Sequence, residues 1–252
     1  MKSIIAAFAM YSKIPMPRLE WSKKNLRYIM AFFPLVGAVL GSALWGWHLL
    51  TERLGFIALL FAAGATALPI VFTGGLHMDG FIDTVDAWHC HGEPEKRRVV
   101  LKDPHVGAFG VIWCGAYLVA VYGLWAQIYE QPGFMWLAVA GFVFSRALTA
   151  LLTLTEKAAS DSGILCGFAV SADKKTVIVV LLTLLLMLAA TGIYLAPVVC
   201  ATLAIVIFAV SLLCIRAARK EFGGVSGDLA GFFLQVIEIL ILAAAAVGGA
   251  LL

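Results

Sequence analysis

Runs of about twenty apolar residues, separated by short polar segments, fill almost the whole chain. Seven such runs cover residues 28–50, 55–72, 108–128, 133–154, 176–194, 197–215 and 232–252. Each approaches or exceeds the roughly 20 residues a helix needs to cross a bilayer. The fifth and sixth form one long apolar stretch, divided at "TGIYLAP", where Gly192 and Pro197 mark a turn. The pattern predicts an all-α integral membrane protein. It is a single polytopic domain over residues 1–252, a bundle of about seven transmembrane helices. Polar segments of about 20–35 residues are too short to build a core of their own, so any chemistry falls at the mouth of the bundle.

Composition agrees with this reading. Of 252 residues, 62% are hydrophobic and 13% charged, against about 25% charged in an ordinary soluble domain. Mean hydropathy is +0.98. A net charge of +3 gives no electrostatic case for nucleic acid as a partner; the lipid bilayer is the partner the composition requires. The N-terminal "MKSIIAAFAMYSKIPMPRLEWSKK" is interrupted by Lys13, Pro15 and Pro17 and lacks a small-residue cleavage site. It reads as a short interfacial or re-entrant segment that stays attached. Cys90, Cys114, Cys166, Cys200 and Cys214 form no paired motif and read as small hydrophobes.

Basic residues fix the orientation. Lys2, Lys13, Arg18, Lys23, Lys24 and Arg27 precede the first span. Lys96, Arg97, Arg98 and Lys102 follow the second, Lys157, Lys174 and Lys175 the fourth, and Arg216, Arg219 and Lys220 the sixth. The alternate loops offer only Arg53. With seven spans every basic segment lies on one face, which the positive-inside rule makes cytoplasmic. The N-terminus is then inside, the C-terminus outside, and Asp79, Asp83, Asp86, Asp103, Asp161, Asp173 and Asp228 all lie on the cytoplasmic side.

Three constellations could carry chemistry there. In "GGLHMDGFIDTVDAWH" (residues 74–89) a helix would place Asp83 about 40° and Asp86 about 20° from Asp79, so three carboxylates share one face. Unneutralised, they repel one another; hard oxygen donors at this density suit Mg²⁺ or Mn²⁺. The competing reading is a solvated helix end paired with Lys96, Arg97 or Arg98. Gly80 would leave room beside Asp79 for a phosphate. In "LKDPHVGAFG" Asp103 could complete a metal site, and Lys102 and His105 could meet phosphate oxygens; a simple capped turn is the alternative. In "GGVSGDLAG" the backbone from Gly223 and Gly224 through Ser226 and Gly227 to Asp228 could cradle a phosphate. Arg146 and Glu238 stand inside apolar runs at similar depth. They are either a buried pair or, with Arg146 on an anionic substrate, part of a site. His89, Cys90 and His91 lack the partners of a zinc site.

Together "GGLHMDGFIDTVDA", "LKDPHVGAFG" and "GGVSGD", in that order, with "IPMP" and "FFPLVGAVLG" before them, resemble cobalamin synthase, the adenosylcobinamide-GDP ribazoletransferase family. The resemblance covers nearly the whole chain. Pro104 and His105 stand where the family usually has Ser and Arg. It implies a Mg²⁺-dependent enzyme of the cytoplasmic membrane that joins adenosylcobinamide-GDP to α-ribazole or α-ribazole 5′-phosphate and releases GMP. It implies Asp79, Asp83, Asp86 and Asp103 as metal-binding and catalytic residues. Lys102, His105, Arg146, Gly223, Gly224, Ser226, Gly227, Asp228 and Glu238 would lie around the substrate. A homo-oligomer is left open. Two alternatives fit less of the sequence. A CDP-alcohol phosphatidyltransferase would need Ala-Arg where "DGFIDTVD" has acids. A transporter would place its polar site near the midplane, within a visible inverted repeat.

Overall fold

The computed structural model describes residues 2–91, 93–159 and 164–251, with the side chains of residues 164–166 and 169 left aside. Asp161 and the Cys166 side chain therefore lie outside the described residues. A short apolar helix, α1 (Lys2–Tyr11), and one turn, α2 (Lys23–Leu26), precede the long helix α3 (Ile29–Arg53). Then come α4 (Ala58–Thr73), α5 (Leu76–His89), α6 (Pro94–Val100) and α7 (Ala108–Glu130). A 3₁₀ turn, Pro132–Phe134, leads into α8 (Met135–Thr155), followed by α9 (Ile164–Ser171) and α10 (Lys174–Leu195). The chain ends with α11 (Pro197–Ala217), a π-helical turn over Ala218–Phe222, and α12 (Gly227–Leu251). Among the described residues the only β pairing is an isolated bridge between Ala158 and Val225.

Of the seven expected crossings, six are single helices long and apolar enough to span a bilayer; α4 reaches that length and apolarity only together with α5, from which it is bent by 93°. Contacts place the start of α4 and the end of α5 against opposite ends of α7. The Tyr129 hydroxyl donates to Phe56 O at 2.9 Å just before α4, while Asp86 near the end of α5 meets the start of α7. The bend separates the 55–72 run from the helix considered over residues 74–89. Its cause is the pair Gly74 and Gly75, at φ +68° and +80°, a conformation that glycine adopts without Cβ strain.

Small residues set the packing, as is common where lipid removes the usual hydrophobic drive between helices. Gly37 and Gly41 bring α3 against the backbone of α8 at Phe142 and Val139. Helix α12 packs along α5, α8 and α7 and forms the centre of the bundle. Helices α10 and α11 are the opposite case. Their most apolar windows are only 17% and 11% buried, so they present hydrocarbon on nearly every face, as lipid-facing helices do. Helix α1 tucks Ala6 and Ala7 into the core beside Ile29, Met30 and Phe33 of α3.

Candidate active site

The acidic stretch is built by one close crossing. Gly80 of α5 lies against the backbone of Asp228 in the first turn of α12; a Cβ there would stand 2.8 Å from Asp228 O and 2.9 Å from its Cα. Gly231 reciprocates against His77 O. Gly80 thus does not leave open space for a phosphate, as the sequence suggested. It lets two acidic helix ends meet. Asp79, Asp228 and Asp86 all act electrostatically on Asp83, and Asp79 acts on Asp228. Four carboxylates from two segments about 140 residues apart in sequence therefore converge at the end of the bundle that carries the basic loops.

These acids are not neutralised by the protein. Among the described residues no Lys, Arg or His forms an ion pair with Asp79, Asp83, Asp86 or Asp228. The three cations weighed as partners from sequence have other contacts. Arg97 pairs with Glu221, Arg98 reaches Glu95 at 3.8 Å, and Lys96 donates to His91 O at 3.2 Å. Among the described residues, the pairing with Lys96, Arg97 or Arg98 weighed from sequence is not formed.

The four acids differ in what else they do. Asp86 accepts from the amides of Gly107 and Gly110 at 2.8 Å each. It caps the N-terminus of α7, where amides and helix dipole favour a negative charge. Asp228 accepts weakly from Ser226 Oγ at 3.4 Å, and the same hydroxyl accepts from Leu229 N at 3.2 Å. Asp79 is exposed and Asp83 half-buried. Among the described residues no three His, Cys, Asp or Glu side chains stand close enough to form a finished metal cage. The donors are nonetheless of the hard carboxylate type that Mg²⁺ prefers, and among the described residues Asp79 and Asp83 accept from no protein donor.

The other expected residues fall around this cluster or apart from it. Lys102, Asp103 and His105 are exposed on the loop before α7. Asp103 Oδ1 accepts from the His105 amide at 2.9 Å and meets the ring Nδ1 at 2.7 Å; the amide bond first and the ring second hold its carboxyl below the usual range. The glycine loop is more committed than expected. Gly224 N donates to Ala218 O and Val225 N to Lys157 O, so these amides are spent on the protein. Gly223 and Gly224 have positive φ and tie the end of α11 to the segment after α8. Gly227 opens α12, leaving its own amide and that of Asp228 at the helix N-terminus.

Arg146 and Glu238 form the buried pair. Arg146 Nη1 donates to Glu238 Oε1 at 2.6 Å and to Phe142 O at 3.0 Å, and the Arg146 residue is 1% exposed. They line a small, mostly apolar cavity to which His77, Tyr117 and Gln235 also contribute. His89 Nδ1 meets Val85 O at 2.8 Å and its ring stacks on Phe109, a structural role. Two residues escaped the sequence reading. His77, buried with Nε2 unpartnered, was signalled only by its place two residues before Asp79. Lys13 lies over Gly74; its only signal was that it interrupts an apolar run.

The fold and the site define a polytopic membrane protein whose one carboxylate-rich mouth is assembled from a broken helix and the start of the last span. The chain belongs to the cobalamin-5-phosphate synthase family, whose model matches residues 3–246. A protein of Lachnoclostridium phytofermentans named adenosylcobinamide-GDP ribazoletransferase is 36% identical over 248 residues, covering 95% of this chain and 91% of its own. One of the same name from Clostridium botulinum is 30% identical over 239 residues, covering 95% and 94%. A third, from Brevibacillus brevis, is 29% identical over 244 residues, covering 96% of each. No solved structure matches the chain.

Proposed function

We propose that this chain is an adenosylcobinamide-GDP ribazoletransferase of the cytoplasmic membrane. It joins adenosylcobinamide-GDP to α-ribazole or α-ribazole 5′-phosphate, with Mg²⁺ bound at the acidic cluster. The observation that carries the reading is the convergence of Asp79, Asp83, Asp86 and Asp228 without a cationic partner, in a chain that matches the family over residues 3–246.

In the reaction a hydroxyl oxygen of the ribazole attacks the phosphorus that bears adenosylcobinamide. The bond from that phosphorus to the bridging oxygen breaks, and GMP leaves with the oxygen. When bound, Mg²⁺ supplies charge neutralisation on the diphosphate oxygens. Asp79, Asp83 and Asp228 would hold it. Asp86 keeps α7 and its preceding loop in register, since both its oxygens already bind amides. Asp83, half-buried and free of protein donors, receives the proton of the attacking hydroxyl. Lys102 and His105, exposed on the neighbouring loop, and the amides of Gly227 and Asp228 contact phosphate oxygens. Arg146 and Glu238 fix α8 to α12 beneath the site.

The test is GMP release by the detergent-purified protein, with donor, acceptor and Mg²⁺ each omitted in turn. Release requires all three, and Asp83→Asn lowers it by at least about a hundredfold, the scale of a lost general base. Release by Asp83→Asn at the wild-type rate would overturn its role. The orientation has its own check: an impermeant reagent applied outside cells leaves a cysteine placed at Lys96 unlabelled, and labelling there would reverse it.

A further inference from the structure

An open groove of about 480 Å³ exceeds both the cavity of about 40 Å³ at Arg146 and the apolar cleft of about 80 Å³ between α8, α10 and α11. It is bounded by the end of α1, the end of α4 and the start of α5, and its walls include Ser12, Lys13, Gly74, Gly75 and Asp79. One wall of this groove is thus a carboxylate of the acidic cluster.

Lys13 is held at the rim by its backbone. Its amide donates to Phe72 O at 2.8 Å, and Ser12 Oγ accepts from Ile14 N at 3.3 Å. The aliphatic arm of Lys13 crosses Gly74, where a Cβ would collide with Lys13 Cε. The glycine is needed for its positive φ, and the lysine arm lies in the space its missing Cβ leaves. Among the described residues Lys13 pairs with no acid. An ammonium fixed at its root, without a carboxylate partner, at the edge of a groove that reaches the acidic cluster, is suited to a polyanion.

Resting on the transferase reading above, we infer that Lys13 is a substrate-binding residue that holds a phosphate group in this groove, beside the carboxylates that hold the metal. Two phosphates are available: the diphosphate of the donor and the 5′-phosphate of a phosphorylated acceptor.

Lys13→Met keeps the aliphatic arm over Gly74 and removes the charge, and Lys13→Arg keeps the charge. Steady-state GMP release is measured for both against α-ribazole and against α-ribazole 5′-phosphate. The expected result for Lys13→Met is a KM raised about ten- to hundredfold, the size of a lost charge-assisted hydrogen bond, with kcat changed much less and recovery in Lys13→Arg. A rise in donor KM with both acceptors assigns the diphosphate; a rise confined to the phosphorylated acceptor assigns its 5′-phosphate. Unchanged KM values in Lys13→Met overturn the inference. Acylation of Lys13 in the wild-type protein by an amine-directed reagent, with and without inorganic pyrophosphate, gives a readout independent of turnover. Slower acylation with pyrophosphate supports the site, and equal rates count against it. A wild type that releases no GMP yet shows protection would sink the transferase reading and leave this site standing.

Discussion

At the scale of single residues, the four clustered aspartates have different tasks. Asp86 holds two amides of the α7 N-terminus, whereas Asp83 accepts from no protein donor among the described residues. Asp86→Ala is therefore expected to lower unfolding stability by about 1–2 kcal/mol, the range for a lost cap. Asp83→Asn should leave the unfolding temperature near that of the wild type while removing turnover. Thermal unfolding in detergent separates the two, and equal destabilisation would contradict the division of labour. The carboxylates themselves were legible in the sequence because their helical spacing is local. The cap was not, since its amides lie 21 and 24 residues further along the chain. The same holds for Lys13, whose neighbour Gly74 comes from another helix.

At the scale of elements, the site depends on how closely α5 approaches α12. Gly80 against Asp228 and Gly231 against His77 O allow backbone contact that any side chain would prevent. Gly80→Val should force the helices apart, costing about 1–3 kcal/mol as overpacking does. Turnover should fall further than stability, because Asp79 and Asp83 move away from Asp228. Activity kept in a folded Gly80→Val protein would show that the crossing does not build the site. The spans were readable because lipid demands about 20 consecutive apolar residues per helix. The direction of the break at Gly74 and Gly75 was not, because a glycine pair just past an apolar run marks a helix end without fixing where the next helix points. Only the packing of α4 on α7 and of α5 on α12 selects the bent form. Gly80 was misread for the same reason: what lies beside a glycine is a property of the next helix.

At the scale of the whole molecule, lipid-facing helices surround an apolar core that, among the described residues, holds one deeply buried ion pair. Arg146 and Glu238 join α8 to α12, and the guanidinium also lies 5.8 Å from the Phe33 ring of α3. Removing one partner strands a buried charge. Arg146→Met is expected to cost about 3–5 kcal/mol, and Arg146→Met with Glu238→Leu less than that. Unfolding of the single and double variants in detergent checks this; a double variant weaker than either single one would contradict it. Sequence reading placed both charges at one depth but left the choice between structural pair and substrate contact open. The geometry shows the pair, with Arg146 only 1% exposed.

The central claim is that the meeting of α5 with α12 creates a divalent-cation site, and Mn²⁺ binding followed by electron paramagnetic resonance tests it most directly. Purified, folded wild-type protein without nucleotide should bind Mn²⁺ saturably, Mg²⁺ should displace it, and Asp79→Asn with Asp83→Asn should lose that binding. Saturable binding of equal strength in wild type and double variant, or none in the wild type, would contradict the account.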